Sequence, residues 1–125
     1  MTEIADYAFQ DCAELQEITL PNNLQRLGNY AFMGCSNLKG IDIPNNVKLI
    51  GQHTFSWCSN MTSIGLPDGL SEIGESAFRN CTNLETIYLP ATVTEFQGSA
   101  FLGCDGIKDI VLTLIIALLL VVAII

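Results

Sequence analysis

The sequence predicts a repeat solenoid, about five stacked coils bearing a parallel strand ladder. Two observations carry that prediction. Cys12, Cys35, Cys58, Cys81 and Cys104 stand 23 residues apart, and each follows a phenylalanine by three residues, at Phe9, Phe32, Phe55, Phe78 and Phe101. The other columns keep the same step with no insertion: Leu15, Leu38, Met61, Leu84 and Ile107; Ile18, Ile41, Ile64, Ile87 and Ile110; Leu20, Ile43, Leu66, Leu89 and Leu112; Pro21, Pro44, Pro67 and Pro90. A unit of that length cannot bury its apolar face alone, so each coil gains a core only by stacking on its neighbours.

Written as one line, the unit reads I-G-x-x-A-F-x-x-C-x-x-L-x-x-I-x-L-P-x-x-V-x-x, and its length falls among leucine-rich repeats. The L-x-x-I-x-L segment predicts strand. In it Ile18 and Leu20 alternate inward while Gln16, Glu17 and Thr19 face water. Proline follows at once, and with no N–H and a fixed φ it suits the corner where the chain leaves the sheet. The rest of the unit predicts a turn, a short extended or helical return with a flexible glycine at Gly28, Gly51 and Gly74, and a phenylalanine plug. Stacked at about 4.8 Å per coil, five coils span only about 24 Å. Met1 to Glu3 step straight into a running repeat and neither end carries a polar cap, so the end coils are expected to expose apolar faces and to belong to a longer array.

With those columns in view, the unit resembles the BspA-like, or treponemal, class of leucine-rich repeat over about Ile4 to Leu112. The resemblance rests on five in-register copies of Phe-x-x-Cys, preceded by alanine everywhere except Thr54, and on four strands followed by proline. The unit differs from the ribonuclease-inhibitor type, whose strand is followed two residues on by asparagine; here Asn23 and Asn46 fill that place, and Gly69 and Thr92 replace it. The resemblance implies an extracellular or surface interaction module associated with adhesion and ligand binding. Fold alone does not fix function.

The tail is a second signal. From Ile110 to Ile125 only Thr113 is not strongly apolar, and the repeat register is lost after Leu112. The reading is a solenoid over 1–112 and a hydrophobic helix over 113–125, a candidate transmembrane segment. The whole apolar run would measure about 24 Å as a helix, against about 30 Å of hydrocarbon. A greasy cap over the last coil is the competing reading, although a cap needs a polar outer face and this segment has none. Three topologies stay open: one span of a surface protein, a tail anchor that leaves the repeats in the cytosol, and a glycolipid-anchor signal at Gly98-Ser99-Ala100. The last would sacrifice Phe101 and Cys104, which the fifth coil needs.

No catalytic set emerges, and no cofactor or metal is expected. Zinc sites want cysteines two to four residues apart, whereas here the spacing is 23, and parallel stacking suits disulfides poorly. The column reads as a ladder of buried thiols used as small hydrophobes. His53 is the only histidine and is expected at the surface. Glu72 and Glu95 form the nearest thing to a carboxylate row and read as a solvated edge. Thirteen acidic against five basic residues give a net charge of -8, which repels phosphate backbones and excludes nucleic acid as a natural partner. Asn60-Met61-Thr62 and Asn80-Cys81-Thr82 are glycosylation sequons and support secretion faintly.

What remains to bind is the exposed strand face. Coil by coil its candidates are Gln16, Glu17 and Thr19; Lys39 and Asp42, with Gly40 making the surface shallow; Thr62, with Gly65 doing the same; and Glu85, Thr86 and Tyr88. Trp57 joins them because its column otherwise holds Asp11, Gly34, Asn80 and Gly103, and aromatic residues among small ones are interface anchors. The expectation is a right-handed, non-catalytic module recognising protein or glycan at a cell surface, held to a membrane through Ile110–Ile125. The alternatives are a cytosolic tail-anchored scaffold and a purely structural piece of an array that self-associates end to end.

Overall fold

A computed structural model describes residues 2–111. Among the described residues nine short strands run β1 Glu3–Ile4, β2 Arg26–Leu27, β3 Gly40–Asp42, β4 Leu49–Ile50, β5 Ser63–Gly65, β6 Glu72–Ile73, β7 Thr86–Tyr88, β8 Glu95–Phe96 and β9 Asp109–Val111. They form parallel ladders on two sides of the coil. The front ladder has the order β3-β5-β7-β9, and the back carries β1-β2 and then β4-β6-β8. Pairing joins residues 23 apart throughout, as in Ile41 with Ile64, Ile50 with Ile73 and Ile87 with Ile110. The sequence period is therefore the spatial register.

The front ladder falls on the L-x-x-I-x-L segment, as its alternation predicts: Ile41, Ile64 and Ile87 are buried while Asp42, Ser63 and Thr86 are exposed. The first coil departs from this pattern. Residues 17–19 form no strand, and their segment is tied to the next coil through the Lys39 N–H on the Gln16 carbonyl at 3.0 Å. Each proline turns the corner by accepting at its carbonyl from the residue three on, Leu24, Val47, Leu70 and Val93, at 3.0–3.1 Å. The return from corner to front is extended, in the two-residue strands of the back ladder, and no helix occurs among the described residues. Glycine at Gly74 serves close approach rather than flexibility, since a Cβ there would lie 2.8 Å from the Gly51 backbone.

After the back ladder the chain runs through consecutive turns whose N–H groups alternate in destination. Ala77 and Arg79 donate to carbonyls three residues back in their own coil, at 3.2 and 3.1 Å. Phe78 and Asn80 donate to Ala100 and Leu102 of the next coil, at 2.8 and 2.7 Å. The backbone groups of this irregular segment are thereby satisfied without helix or sheet. The geometry places two residues of every coil in the left-handed region: Tyr7, Tyr30, His53, Ser76 and Ser99 in one column, and Asp11, Gly34, Trp57, Asn80 and Gly103 in the other.

Between the ladders lies the core. Phe9, Phe32, Phe55, Phe78 and Phe101 stack nearly parallel, with centroids 5.2–5.6 Å apart. Phe32, Phe55 and Phe78 are wholly buried. The thiols of Cys35, Cys58, Cys81 and Cys104 each donate to the phenylalanine carbonyl of the coil before, at 3.1, 3.2, 3.1 and 2.9 Å. They are thus weak donors as well as small hydrophobes, and burial pushes the Cys35 thiol up to about 11. The ladder is not buried throughout, because Cys12 is exposed and Cys104 half-buried at the two ends. Thr54, the departure in the alanine column, is buried with its hydroxyl on the Gly28 carbonyl at 3.4 Å.

Ile110 and Val111, the first two residues of the apolar run, pair with Ile87 and Tyr88 in the front ladder. The hydrophobic helix expected over 113–125 lies outside the described residues. Among those described, no helix is long and apolar enough to cross a membrane.

Phe55 stacks on two rings and Phe9 on one, so Phe55→Ala is expected to cost about 3–5 kcal/mol in urea unfolding. Phe9→Ala is expected to cost distinctly less, and equal losses would show that the stack is not what couples the coils.

Candidate functional site

The front side carries a shallow polar groove of about 470 Å³, lined by Gln16, Asn37, Lys39, Asn60, Thr62 and Asn83. Its floor is set by the backbone. Lys39 donates to Gln16, Thr62 to Lys39, Glu85 to Thr62 and Lys108 to Glu85, with N···O distances of 2.8–3.1 Å, so this column advances one coil at a time along the ladder. Asn37, Asn60 and Asn83 form a side-chain ladder along the groove. The Asn37 amide donates to the Ala13 carbonyl at 2.7 Å, Asn60 to Asn37 Oδ1 at 3.0 Å, and Asn83 to Asn60 Oδ1 at 3.4 Å. A carboxamide has two donor hydrogens and two acceptor lone pairs. Asn60, which gives one bond and receives one, keeps a hydrogen and a lone pair for something else.

The structure distributes the sequence candidates over several places. Gln16, Lys39 and Thr62 meet in the groove with the three asparagines. Thr19 and Asp42 line a smaller hollow of about 270 Å³ with Asn22 and Pro44. Glu85 is exposed and lies 3.8 Å from Lys108, an ion pair worth little in water. Glu17 and Thr86 are exposed and line neither hollow. Tyr88 and Trp57 are 54% and 53% exposed and also stand outside both. Asn37, Asn60 and Asn83 stand in identical register in the sequence, but that column does not say that their side chains bond to one another.

A second feature gave no signal from its spacing alone. Tyr7, Tyr30 and His53 stack in their left-handed column with centroids 4.8 and 4.9 Å apart. His53 is therefore half-buried rather than fully exposed, held by the Tyr30 ring on one face. The buried Ser56 hydroxyl donates its one hydrogen to the Ser76 carbonyl. At 3.0 Å from Ser56 Oγ, His53 Nδ1 must then carry the proton of that contact, which turns Nε2 into the acceptor of the neutral ring. The arrangement fixes an imidazole and leaves the serine hydroxyl committed to a carbonyl, so it is not a nucleophile–base pair.

The chain stands close to known repeat proteins. The family model for the BspA type leucine rich repeat region matches residues 2–117 in 6 copies. A leucine-rich repeat protein from Bacteroides ovatus superposes with a TM-score of 0.83 at 37% identity, covering 89% of this chain and 29% of that one. The Treponema pallidum leucine rich repeat protein gives 0.84 at 32%, covering 87% and 51%. A leucine rich cell surface protein from Faecalibacterium prausnitzii gives 0.85 at 32%, covering 88% and 29%. The chain thus spans from under a third to about half the length of these relatives. No curated protein matches it.

Replacing Asn60 with aspartate puts a carboxylate oxygen against Asn37 Oδ1 where an amide hydrogen now lies. Asn60→Asp is expected to lower stability by about 1 kcal/mol in urea unfolding at neutral pH. An effect no larger than that of an ordinary surface substitution would mean that the amides are independently solvated.

Proposed function

The chain belongs to the BspA-type leucine-rich repeat family, and on that premise we propose that it is a non-catalytic interaction module which recognises a protein or glycan ligand at a cell surface. The observation that carries the reading is the groove: a hydrogen-bonding surface laid out coil after coil on a rigid ladder, with side chains that leave donors and acceptors open. Solenoids use such repeated surfaces to hold extended ligands. Lys39 and Thr62 are its central contacts, and Gln16 extends it on the first coil. The cell-surface assignment draws on the relative from Faecalibacterium prausnitzii, a leucine rich cell surface protein. Membrane attachment through the apolar segment 113–125 draws on composition, and residues 1–112 then form the ligand-binding unit.

The test is binding to an array of immobilised glycans and extracellular proteins. Lys39→Ala combined with Thr62→Ala is expected to weaken binding about tenfold or more while leaving the melting temperature in place, as for truncation at a binding anchor. Unchanged affinity in the double variant would sink the groove as the site.

A purely structural reading has one observation in its favour. The outer side of the first coil bears an apolar hollow of about 620 Å³ among Ile4, Ala5, Ala8, Phe9, Ile18 and Leu20. End-to-end association through it predicts sedimentation that depends on concentration and reverts to a monomer in Phe9→Glu. A wild-type monomer at all concentrations would remove this reading.

A further inference from the structure

We infer that Trp57 is the stacking platform for one ring of a neutral glycan laid along the asparagine ladder, an inference that rests on the groove being the ligand site. Its starting point is the backbone. Trp57 has φ 64 in a column where the neighbouring coils place Asp11 at 59, Gly34 at 76, Asn80 at 61 and Gly103 at 79. Glycine occupies the left-handed region freely, and asparagine and aspartate are the side chains that visit it most readily. A bulky aromatic residue is uncommon there; Tyr7, Tyr30 and His53 occupy the same region in the other column, where they stack on one another.

The indole does not recover that cost by stacking within the protein. The two aromatic ladders of the described residues run through Tyr7, Tyr30 and His53 and through the phenylalanine column, and Trp57 is in neither. It remains 53% exposed. The same column one coil back is Gly34, which has no side chain to shield it.

The ligand class follows from the groove to which the same coil contributes. Three residues after Trp57, and joined to it through tight turns, comes Asn60 in the middle of the amide ladder. Carboxamides that keep an open donor and an open acceptor match the vicinal hydroxyls of a sugar, which also give and receive. The C–H face of a pyranose ring in turn packs on the face of an indole. Coils that repeat at about 4.8 Å advance by a step close to one sugar unit in an extended chain. The groove lining has one cation, Lys39, and no carboxylate, and the chain as a whole carries -8. Polyanions are repelled and a strongly basic peptide finds no counter-charge in the groove, so a neutral glycan fits best.

Trp57 is the sole tryptophan, so its fluorescence reports on its own surface. The intact chain is titrated with neutral oligosaccharides, N-acetylglucosamine oligomers and galactose-terminated chains, with sialylated counterparts as the charge control and calorimetry as an independent measure of binding. A saturable blue shift with a neutral oligosaccharide is expected, weaker binding of the sialylated form, and a loss of about tenfold or more in affinity for Trp57→Asn, the residue the column carries at Asn80. Folding of that variant is expected to hold, since asparagine accepts the backbone. Glycan binding by calorimetry with unchanged emission and unchanged Trp57→Asn affinity would overturn the platform while leaving the groove in place. Lys39-dependent capture of a protein, with no saturable glycan, would overturn the ligand class alone. A steep fall in melting temperature in both Trp57→Asn and Trp57→Gly, with no emission change on titration of the wild type, would show that the indole is packing.

Discussion

A phenylalanine lies face to face on the phenylalanine of the next coil, at centroid distances of 5.2–5.6 Å and interplanar angles under 10°, and the rest of the chain has to keep that step. Parallel strands advance by about 4.8 Å, so rings on the same register must tilt and offset slightly to sit at their preferred separation. One inserted residue between two rings would move every column after it to a new side of the coil. That is why isoleucine, leucine, cysteine and proline all recur at 23 without a slip, and why pairing on both ladders joins residues 23 apart.

The stack also explains the cysteines. From Phe32 on, a residue three positions after the phenylalanine meets two demands, packing against the core and a carbonyl of the preceding coil beside it, and a thiol fills the first and donates to the second. Serine would donate more strongly but bury less apolar surface, and alanine would leave the second contact unmade. The Phe-x-x-Cys motif is thus a packing and hydrogen-bonding unit.

Packing and surface chemistry draw on different parts of the same coil. The inward columns are uniform because each must fit its copy above and below. The outward columns vary: Gln16, Lys39, Thr62 and Glu85 succeed one another along a single line, and Asp11, Gly34, Trp57 and Asn80 along another. Variation on a fixed scaffold lets each coil present its own chemistry at a known spacing. Trp57 takes a left-handed position without a stacking partner, which sets it apart from the stacked column of Tyr7, Tyr30 and His53.

The sequence by itself determined the period, the number of residues per coil, the core columns and the front strand, because a strict repeat leaves one register in which every phenylalanine meets another. It also singled out Trp57 as foreign to its column. Which exposed residues meet was decided by the tertiary structure. Linear columns could not show that Asn37, Asn60 and Asn83 bond to one another and share a groove with Lys39 and Thr62, while Thr19 and Asp42 line another hollow. Nor could they show that His53 is clasped by Tyr30 instead of standing free. The return segment was ambiguous for the same reason. Its turns are held by bonds to the next coil as much as to their own, and a hydrogen bond between residues 22 apart has no local signature. Only the stacked chain supplies the partner.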